Sequence, residues 1–532
     1  MSLVTRKRTG SVLLAMAALL LAMLACMRTD VGVQVEMGTH NATETQDPQP
    51  ASPTSTINPG GGPTHAEIFP PYPTTTATPG PPEPLVSPTF PPTAVMPETQ
   101  APETLLYQTQ PGDTLWALAM RFGVLPEDIT AADGELPEQK LLIDAGRLLL
   151  IPRRLGATGP SDWLIPDSEM VFSPHAADFD VVSFMAGQGG YLNRYREYLA
   201  GRRVSGPEVV AQAALDNTTN PRLLLALLEY QTGWVTNPTT PTGDDLEYPL
   251  GHIDSHSAGL YRQLTWLANE LGHGYYGWRA GTITEIAFPD GSVVRLDPSL
   301  NAGTVALQYY LSLQHAGSSW VEALGETGFI ATYMRLFGDP WSKSHPLYEP
   351  GVSQPTMILP FLEGRKWYFT GGPHGAWMRE AAWAALDFAP GLTSGGCEVS
   401  IDWAVAAAPG LVVRSENGVV ALDMDGDGRE QTGWVLIYVH IATEGRVREG
   451  SFLEAGDLIG HPSCEGGPAT GTHIHIARKY NGEWILADGP LPFTLSGWVA
   501  KAGIKAYQGA LVRGDETVLA CPWGASESAI RR

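Results

Sequence analysis

Cysteine is scarce in this chain, with four residues among 532. Cys26 ends an N-terminal apolar run, which leaves Cys397, Cys464 and Cys521, an odd number without the paired spacing of a cysteine zinc site. One disulfide is expected in an oxidising compartment, and sequence alone does not name its partners. Basic residues are also few: 33 Lys and Arg stand against 56 Asp and Glu, for a net charge of −23. That balance excludes the basic footprint of a nucleic-acid binder and offers no charged face for anionic lipid. What the chain does have is 59 Gly and 44 Pro beside a 43% hydrophobic share, which reads as several domains with real cores joined by long loops.

The N-terminus reads as an export signal. Arg6, Lys7 and Arg8 precede "SVLLAMAALLLAMLAC", an apolar run too short for a membrane span of about 20 residues. The end of this 1–26 segment resembles a bacterial lipoprotein signal, which implies a lipid anchor on Cys26. Ordinary secretion and an uncleaved anchor stay open. Residues 27–104 are dominated by Pro, Thr, Ser and Gly and read as a disordered or polyproline-like linker. The expected location is extracytoplasmic, secreted or membrane-anchored at a bacterial surface.

Order resumes near Tyr107. A short strand leads to Asp113 or Thr114 as helix cap, then Leu115, Leu118, Ala119 and Phe122 follow at helical spacing before Gly123. A second short helix is expected near Pro126, and "GRLLLIP" closes as a strand. The order "PGDTLWALAMRFGV … GRLLLIP" resembles a LysM domain, a β-α-α-β module that binds N-acetylglucosamine glycans, over 105–154. The resemblance implies a groove between the Gly112-Asp113-Thr114-Leu115 loop and the loop from Ile129 to Leu136. Asp133 stands where the family usually has Asn.

Residues 165–350 carry five segments with three-to-four-residue apolar spacing and Asn, Ser or Pro start signals, which predicts a mainly helical domain. In "NPRLLLALLEYQTGWV", Asn220 caps the helix and Glu229 lies in its last turn. A carboxyl in an apolar pocket can act as a general acid. This stretch resembles the catalytic helix of lysozyme-like transglycosylases, with Thr232-Gly233 as the following turn. An exposed or merely hydrogen-bonded Glu229 is the structural alternative.

From about residue 355 the pattern becomes β. In "GTHIHI", His473 and His475 alternate with Ile474 and Ile476, so a strand would send both imidazoles to one face, about 7 Å apart, and both isoleucines to the core. In "WVLIYVHI", Trp434, Leu436, Tyr438 and His440 share one face. Upstream lie His374 in a glycine-rich stretch and Asp387 in an apolar run. Together "H … ALDFAPG … YVHI … GTHIHI" resembles the lysostaphin-like (LytM-type) zinc metallopeptidases that cut the peptides of bacterial peptidoglycan, over 355–515. The resemblance implies that His374, Asp387 and His475 hold Zn²⁺, and that His440 and His473 work on the metal-bound water and the reacting amide. Twelve residues separate His374 from Asp387 where the family commonly has three, so His461 is the alternative ligand. Cys397 and Cys464 flank this site and are the expected disulfide.

"LDMDGDGRE" resembles a calcium-loop fragment, but no carboxylate stands at its twelfth position. Asp423, Asp425 and Asp427 are therefore expected to form a solvated acidic turn. The segment after Ser496 gives no reading beyond a cap on the β domain. The chain as a whole is expected to be a multidomain cell-wall hydrolase: a small LysM module, a mainly α middle domain and a mainly β antiparallel metallopeptidase domain. Its partners would be peptidoglycan glycan and peptide, and no nucleic acid. The rival expectations are a glycan-cleaving enzyme that uses Glu229, and a wall-binding scaffold with an inert metal site.

Overall fold

The computed structural model describes residues 103–378, 381–391 and 396–532. The export signal, Cys26 and nearly all of the linker lie outside the described residues.

The first module is a three-stranded sheet with one helix: β1 (Thr104–Gln108), α1 (Leu115–Phe122), β2 (Thr130–Ala131) and β3 (Leu148–Pro152), in the order β1-β3-β2. Thr114, not Asp113, caps α1 by accepting from Ala117 N, and Gly123 ends it in the left-handed region. The second helix expected near Pro126 is only a 3-10 turn, Pro126–Asp128. With Pro at its start and Ile129 already extended, there is no room for more than one turn.

The middle region is helical. Its longer helices are α2 (Gly206–Asn217), α3 (Pro221–Thr232), α4 (Leu260–Ala280), α5 (Ala302–Ser312) and α6 (Phe329–Phe337). Leu223 to Leu228 of α3 are all buried, so this helix runs through the core and is covered on every side.

The C-terminal region contains β4 (Lys366–His374), β5 (Ala385–Pro390), β6 (Gly410–Glu416), β7 (Val419–Asp423), β8 (Trp434–Val439), β9 (Phe452–Leu453), β10 (Ile474–Tyr480), β11 (Glu483–Trp484), β12 (Thr494–Leu495), β13 (Trp498–Ala502), β14 (Gly509–Arg513), β15 (Glu516–Leu519) and β16 (Ala529–Arg531). The main sheet runs β9-β6-β7-β8-β10-β5-β4-β16, with β11 paired to the end of β10, and β12 to β15 form a second sheet in sequence order. Every pairing in both sheets is antiparallel. One face of the main sheet carries Leu386, Phe388, Leu436, Tyr438, Ile474 and Ile476, packed with Trp498 and Leu511 of the second sheet. The other face carries Ala385, Val435, Ile437, Val439 and Ala477, and Tyr276 of α4 packs against it. Both faces are therefore core, where the sequence led us to expect one core face and one of imidazole.

Buried charges join the three regions. Arg121 of α1 donates twice to the Trp278 carbonyl at 3.1 and 2.9 Å and stacks over its ring, while Arg295 donates back to the Met120 and Arg121 carbonyls at 2.7 and 2.8 Å. Arg279 donates to the Pro111 carbonyl of the first module. It also lies 3.3 Å from Glu483 of β11, whose carboxylate accepts from Tyr275 and Tyr348 as well. Arg414 of β6 pairs with Asp216 of α2 at 2.8 Å and with Glu430 at 2.7 Å, and Lys479 closes the cluster on Glu430 at 2.8 Å. Among the described residues no helix is long and apolar enough to cross a membrane.

Candidate metal centre

Register brings the first three candidate ligands together. His475 of β10 sits opposite Asp387 of β5, and Asp387 sits opposite Gly371 of β4. A Cβ at Gly371 would overlap the Asp387 carboxylate, so the glycine makes the space that the carboxylate fills. Register shifts on either side of Gly371, the second between Gly371 and His374, bring His374 onto the same spot. The twelve-residue spacer does not separate the pair. Ala376 N donates to the Ala382 carbonyl, so the spacer folds back on itself and β4 and β5 remain neighbours.

One ligand atom each from His374, Asp387 and His475 lies within 4.8 Å of the others, and all three residues are buried. His374 Nε2 is 3.0 Å from His475 Nδ1; each is 3.3 to 3.4 Å from Asp387 Oδ1. His461, the alternative ligand, is elsewhere: its ring lies tilted against Trp403 and its Nδ1 meets the Asp402 carbonyl.

The tautomers follow from the outer partners. A ring nitrogen that meets a carbonyl at hydrogen-bond distance must carry the proton, and in the neutral imidazole, the form that binds a metal, the other nitrogen is then a lone pair. His374 Nδ1 meets the Gly372 carbonyl at 2.8 Å, His473 Nδ1 the Gly471 carbonyl at 2.7 Å and His440 Nδ1 the Glu465 carbonyl at 2.8 Å. His475 is turned the other way, with Nε2 on the Ala376 carbonyl at 2.9 Å. The lone pairs of His374 Nε2 and His475 Nδ1 then face Asp387 Oδ1, with His473 Nε2 3.7 Å from the same oxygen. That buried oxygen has no hydrogen-bond partner. Lone pairs facing one another in a dry site call for a cation between them. Two imidazoles and one carboxylate suit Zn²⁺ with a position left open, so the residues fit the metal.

The electrostatics point the same way. Burial would raise the Asp387 pKa, yet the His374 and His473 charges hold it well below the ordinary carboxylate value. Burial pulls the His374 pKa down, and Asp387 more than reverses it, so that it ends above its usual value. Burial pushes His440 down to about 3, helped by the nearby His473 and His475, so His440 is neutral at pH 7.

His440 reaches the site by a route the alternation did not foresee. Trp434, Leu436 and Tyr438 do share the isoleucine face of the sheet. Strict alternation would put His440 there too, away from His473. The strand instead ends at Val439, and His440 takes φ +68°, a left-handed conformation that turns its ring back. Its ring centroid is 4.4 Å from that of His473 and 6.3 Å from that of His475.

Tyr507 was not foreseen at all. Its ring stacks on His374 with centroids 4.2 Å apart, and its own φ is +69°. Tyr507 N donates to the Pro373 carbonyl and its carbonyl accepts from Gly372 N. Gly503 and Gly509 bracket "IKAYQ" as a turn signal, but nothing local ties that turn to a strand more than 130 positions earlier.

The disulfide is Cys397–Cys464, as expected, and Cys521 is free and buried. The acidic turn links β7 to β8. Asp425 and Asp427 are exposed, but Asp423 is fully buried, contrary to a solvated turn, because its carboxylate accepts from the Asp425, Gly426 and Gly428 amides.

The five residues named for a glycan groove are all buried: Gly112, Asp113, Thr114, Leu115 and Ile129. Asp113 ties Tyr107, Gln110 N and Arg121 together, Leu115 and Ile129 fill the small core, and Gly112 lies under Arg279. Asp113, Leu115 and Ile129 thus help to build the module, while Gly112 and Thr114 line a cavity that Arg279 and Glu483 also line. Asp133 pairs with Arg147 at 2.7 Å, a contact that the family's Asn would make without charge. Glu229 is likewise engaged. Its carboxylate accepts from Val235 N, Thr236 N and Thr236 Oγ1 and pairs with Arg335 at 3.0 Å, so its surroundings are polar where an apolar pocket was expected.

Comparison with known proteins gives two domain matches: a LysM domain at residues 107–152 and the LasA N-terminal domain at residues 163–350. Protease LasA from two strains of Pseudomonas aeruginosa is 26% identical over 348 and 350 residues, 61% of this chain and 75% of the relative. Among solved structures, the M23 metalloprotease pseudoalterin is 22% identical, covering 34% of this chain and all of that one, with a TM-score of 0.27. The catalytic domain of lysostaphin from Staphylococcus simulans is 21% identical, covering 23% of this chain and 89% of that one, with a TM-score of 0.17. By its sequence matches, the chain carries a LysM domain followed by a LasA N-terminal domain, and over 61% of its length it is similar to protease LasA.

Proposed function

We propose that the chain is an exported zinc metalloendopeptidase that hydrolyses peptide bonds of bacterial peptidoglycan, while its LysM domain holds the N-acetylglucosamine glycan. One observation carries the reading: Asp387 Oδ1, buried and without a hydrogen-bond partner, faces three imidazole nitrogens whose partner nitrogens are committed to carbonyls. The similarity to protease LasA supports peptide hydrolysis, and the LysM match supports the cell wall as its place.

His374 Nε2, Asp387 Oδ1 and His475 Nδ1 would hold the ion. Bound there, Zn²⁺ supplies a Lewis acid and brings the pKa of water to near 7. His440 and His473 each donate Nδ1–H to a carbonyl, which leaves Nε2 free to exchange a proton with the reacting groups. Between them they take the proton of the attacking water, hold the developing oxyanion and return the proton to the leaving amine. His473 is the more exposed of the two. Secretion or a lipid on Cys26 would place this chemistry outside the cytoplasm.

The test is a digest of purified peptidoglycan by the mature protein with and without a zinc chelator, read by mass spectrometry. New free amino ends that disappear with chelator are expected. New sugar ends insensitive to chelator would move the chemistry to Glu229, and no release would leave a wall-binding scaffold.

A further inference from the structure

We propose that the disulfide between Cys397 and Cys464 positions His440 and His473, and that it thereby makes catalysis sensitive to reductant without touching the metal ligands. The inference rests on the peptidase reading above. Cys464 is the middle of a three-residue strap, Ser463 to Glu465, whose main chain touches both histidines. Ser463 N donates to the His440 carbonyl at 2.7 Å, and the Ser463 carbonyl accepts from His473 N at 3.4 Å. The Glu465 carbonyl accepts from His440 Nδ1 at 2.8 Å, the bond that orients the ring.

The other half of the disulfide holds the residue before His473. Thr472 N donates to the Gly396 carbonyl at 3.1 Å, and Thr472 Oγ1 donates to the Gly396 and Glu398 carbonyls on either side of Cys397. The disulfide thus closes a ring through His440, the strap, residues 396–398 and Thr472–His473.

The strap needs a tie. Between Cys464 and Thr472 the chain reads "EGGPATG", with little local stiffness of its own. His440 sits at φ +68°, a conformation that an L-residue keeps only where its surroundings fix it. Glu465 has a second anchor, its carboxylate accepting from Thr443 N at 2.9 Å and Thr443 Oγ1 at 2.6 Å. The carbonyls that orient the metal ligands come from elsewhere, Gly372 on β4 and Ala376 just after it. Loosening the strap should therefore disorder the two non-ligand histidines and leave the ligands in register. Cys397 is exposed and Cys464 half-buried, so a reductant can reach the bond.

The experiment uses the full zinc-loaded chain before and after tris(2-carboxyethyl)phosphine, with re-oxidation as a third arm and the double variant Cys397→Ser/Cys464→Ser as a fourth. The phosphine takes an oxygen atom from water to become its oxide. Its two electrons and the two protons of that water leave a thiol on each cysteine. Three quantities are read: zinc content, kcat and KM on purified peptidoglycan, and the downfield imidazole N–H resonances of His440 and His374. On reduction we expect zinc retained, kcat lowered by at least about 10-fold with KM little changed, the His440 N–H lost and the His374 N–H kept. Re-oxidation should restore both signal and rate. An unchanged kcat with an intact His440 signal would overturn the proposal, and so would joint loss of zinc and both resonances, which marks general unfolding. If the oxidised protein hydrolyses nothing, the peptidase reading has failed by itself, and the two resonances still decide whether the disulfide orients His440.

Discussion

Arg279 at the end of α4 and Glu483 in β11 face each other at 3.3 Å inside the molecule, and they belong to different domains. Arg279 also reaches Asp167 at 3.1 Å and the Pro111 carbonyl of the LysM module, so one guanidinium serves all three regions. Removing it leaves Glu483 buried among Tyr275 and Tyr348 without its cation. Arg279→Ala is expected to destabilise the chain by about 3–5 kcal/mol, the usual cost of leaving a buried charge unpaired. Denaturant unfolding measures the loss, and limited proteolysis should show the LysM module freed first.

The purified chain is expected to carry one zinc ion, measured by elemental analysis. Asp387→Ala and His475→Ala should each lose it. His440→Ala and His473→Ala should keep it while activity falls by about 10²–10⁴-fold, the range typical of a lost acid–base group. Zinc loss from the His440 or His473 variants would mean that the ligand set is misassigned.

Acid should destabilise the buried charge cluster around Arg414. Glu430 is fully buried, which by itself raises its pKa, yet Arg414 and Lys479 hold it down to about 2. Because the folded value lies below the unfolded one, its stabilising contribution is complete above about pH 4.5 and is lost as pH falls toward 2. The depression corresponds to about 3 kcal/mol. Glu430→Gln should flatten the stability profile over that window, seen in denaturant midpoints between pH 2 and 5.

Glu229→Gln is expected to weaken the fold and spare the hydrolysis of peptidoglycan peptides. The change removes the charge that meets Arg335 and weakens the hold on Val235 N and Thr236. Arg335 is half exposed, so the ion pair itself adds little, and a total cost of about 1–2 kcal/mol is expected. Loss of sugar-end release with stability intact would instead restore Glu229 as a catalytic acid.

The sequence disclosed the site where the physics is local. His473 and His475 share a face because strands alternate with period two, and that rule needs nothing beyond the strand itself. The same rule failed at His440, since a single left-handed residue at a strand end reverses the face and carries no composition signal. His374 survived its long spacer because the Ala376–Ala382 hydrogen bond folds the spacer away, a closure that counting residues does not reveal. Tyr507, the Glu465 carbonyl and the docking of Arg279 depend on chain segments far apart in sequence. The LysM motif was legible as a fold, while the burial of Asp113, Leu115 and Ile129 depends on packing that the motif does not spell out.

The seating of the LysM module on α4, through Arg121, Arg279 and Arg295, has a consequence for how the molecule would meet a polymer. A binding module on a slack leash raises the chance of an encounter and lets the blade land anywhere within reach. A module bolted to the frame works as a gauge: whatever it grips is held at one set distance from the metal centre. On a wall built of identical repeats, such a gauge would choose the bond by its spacing from the gripped sugar as well as by its chemistry.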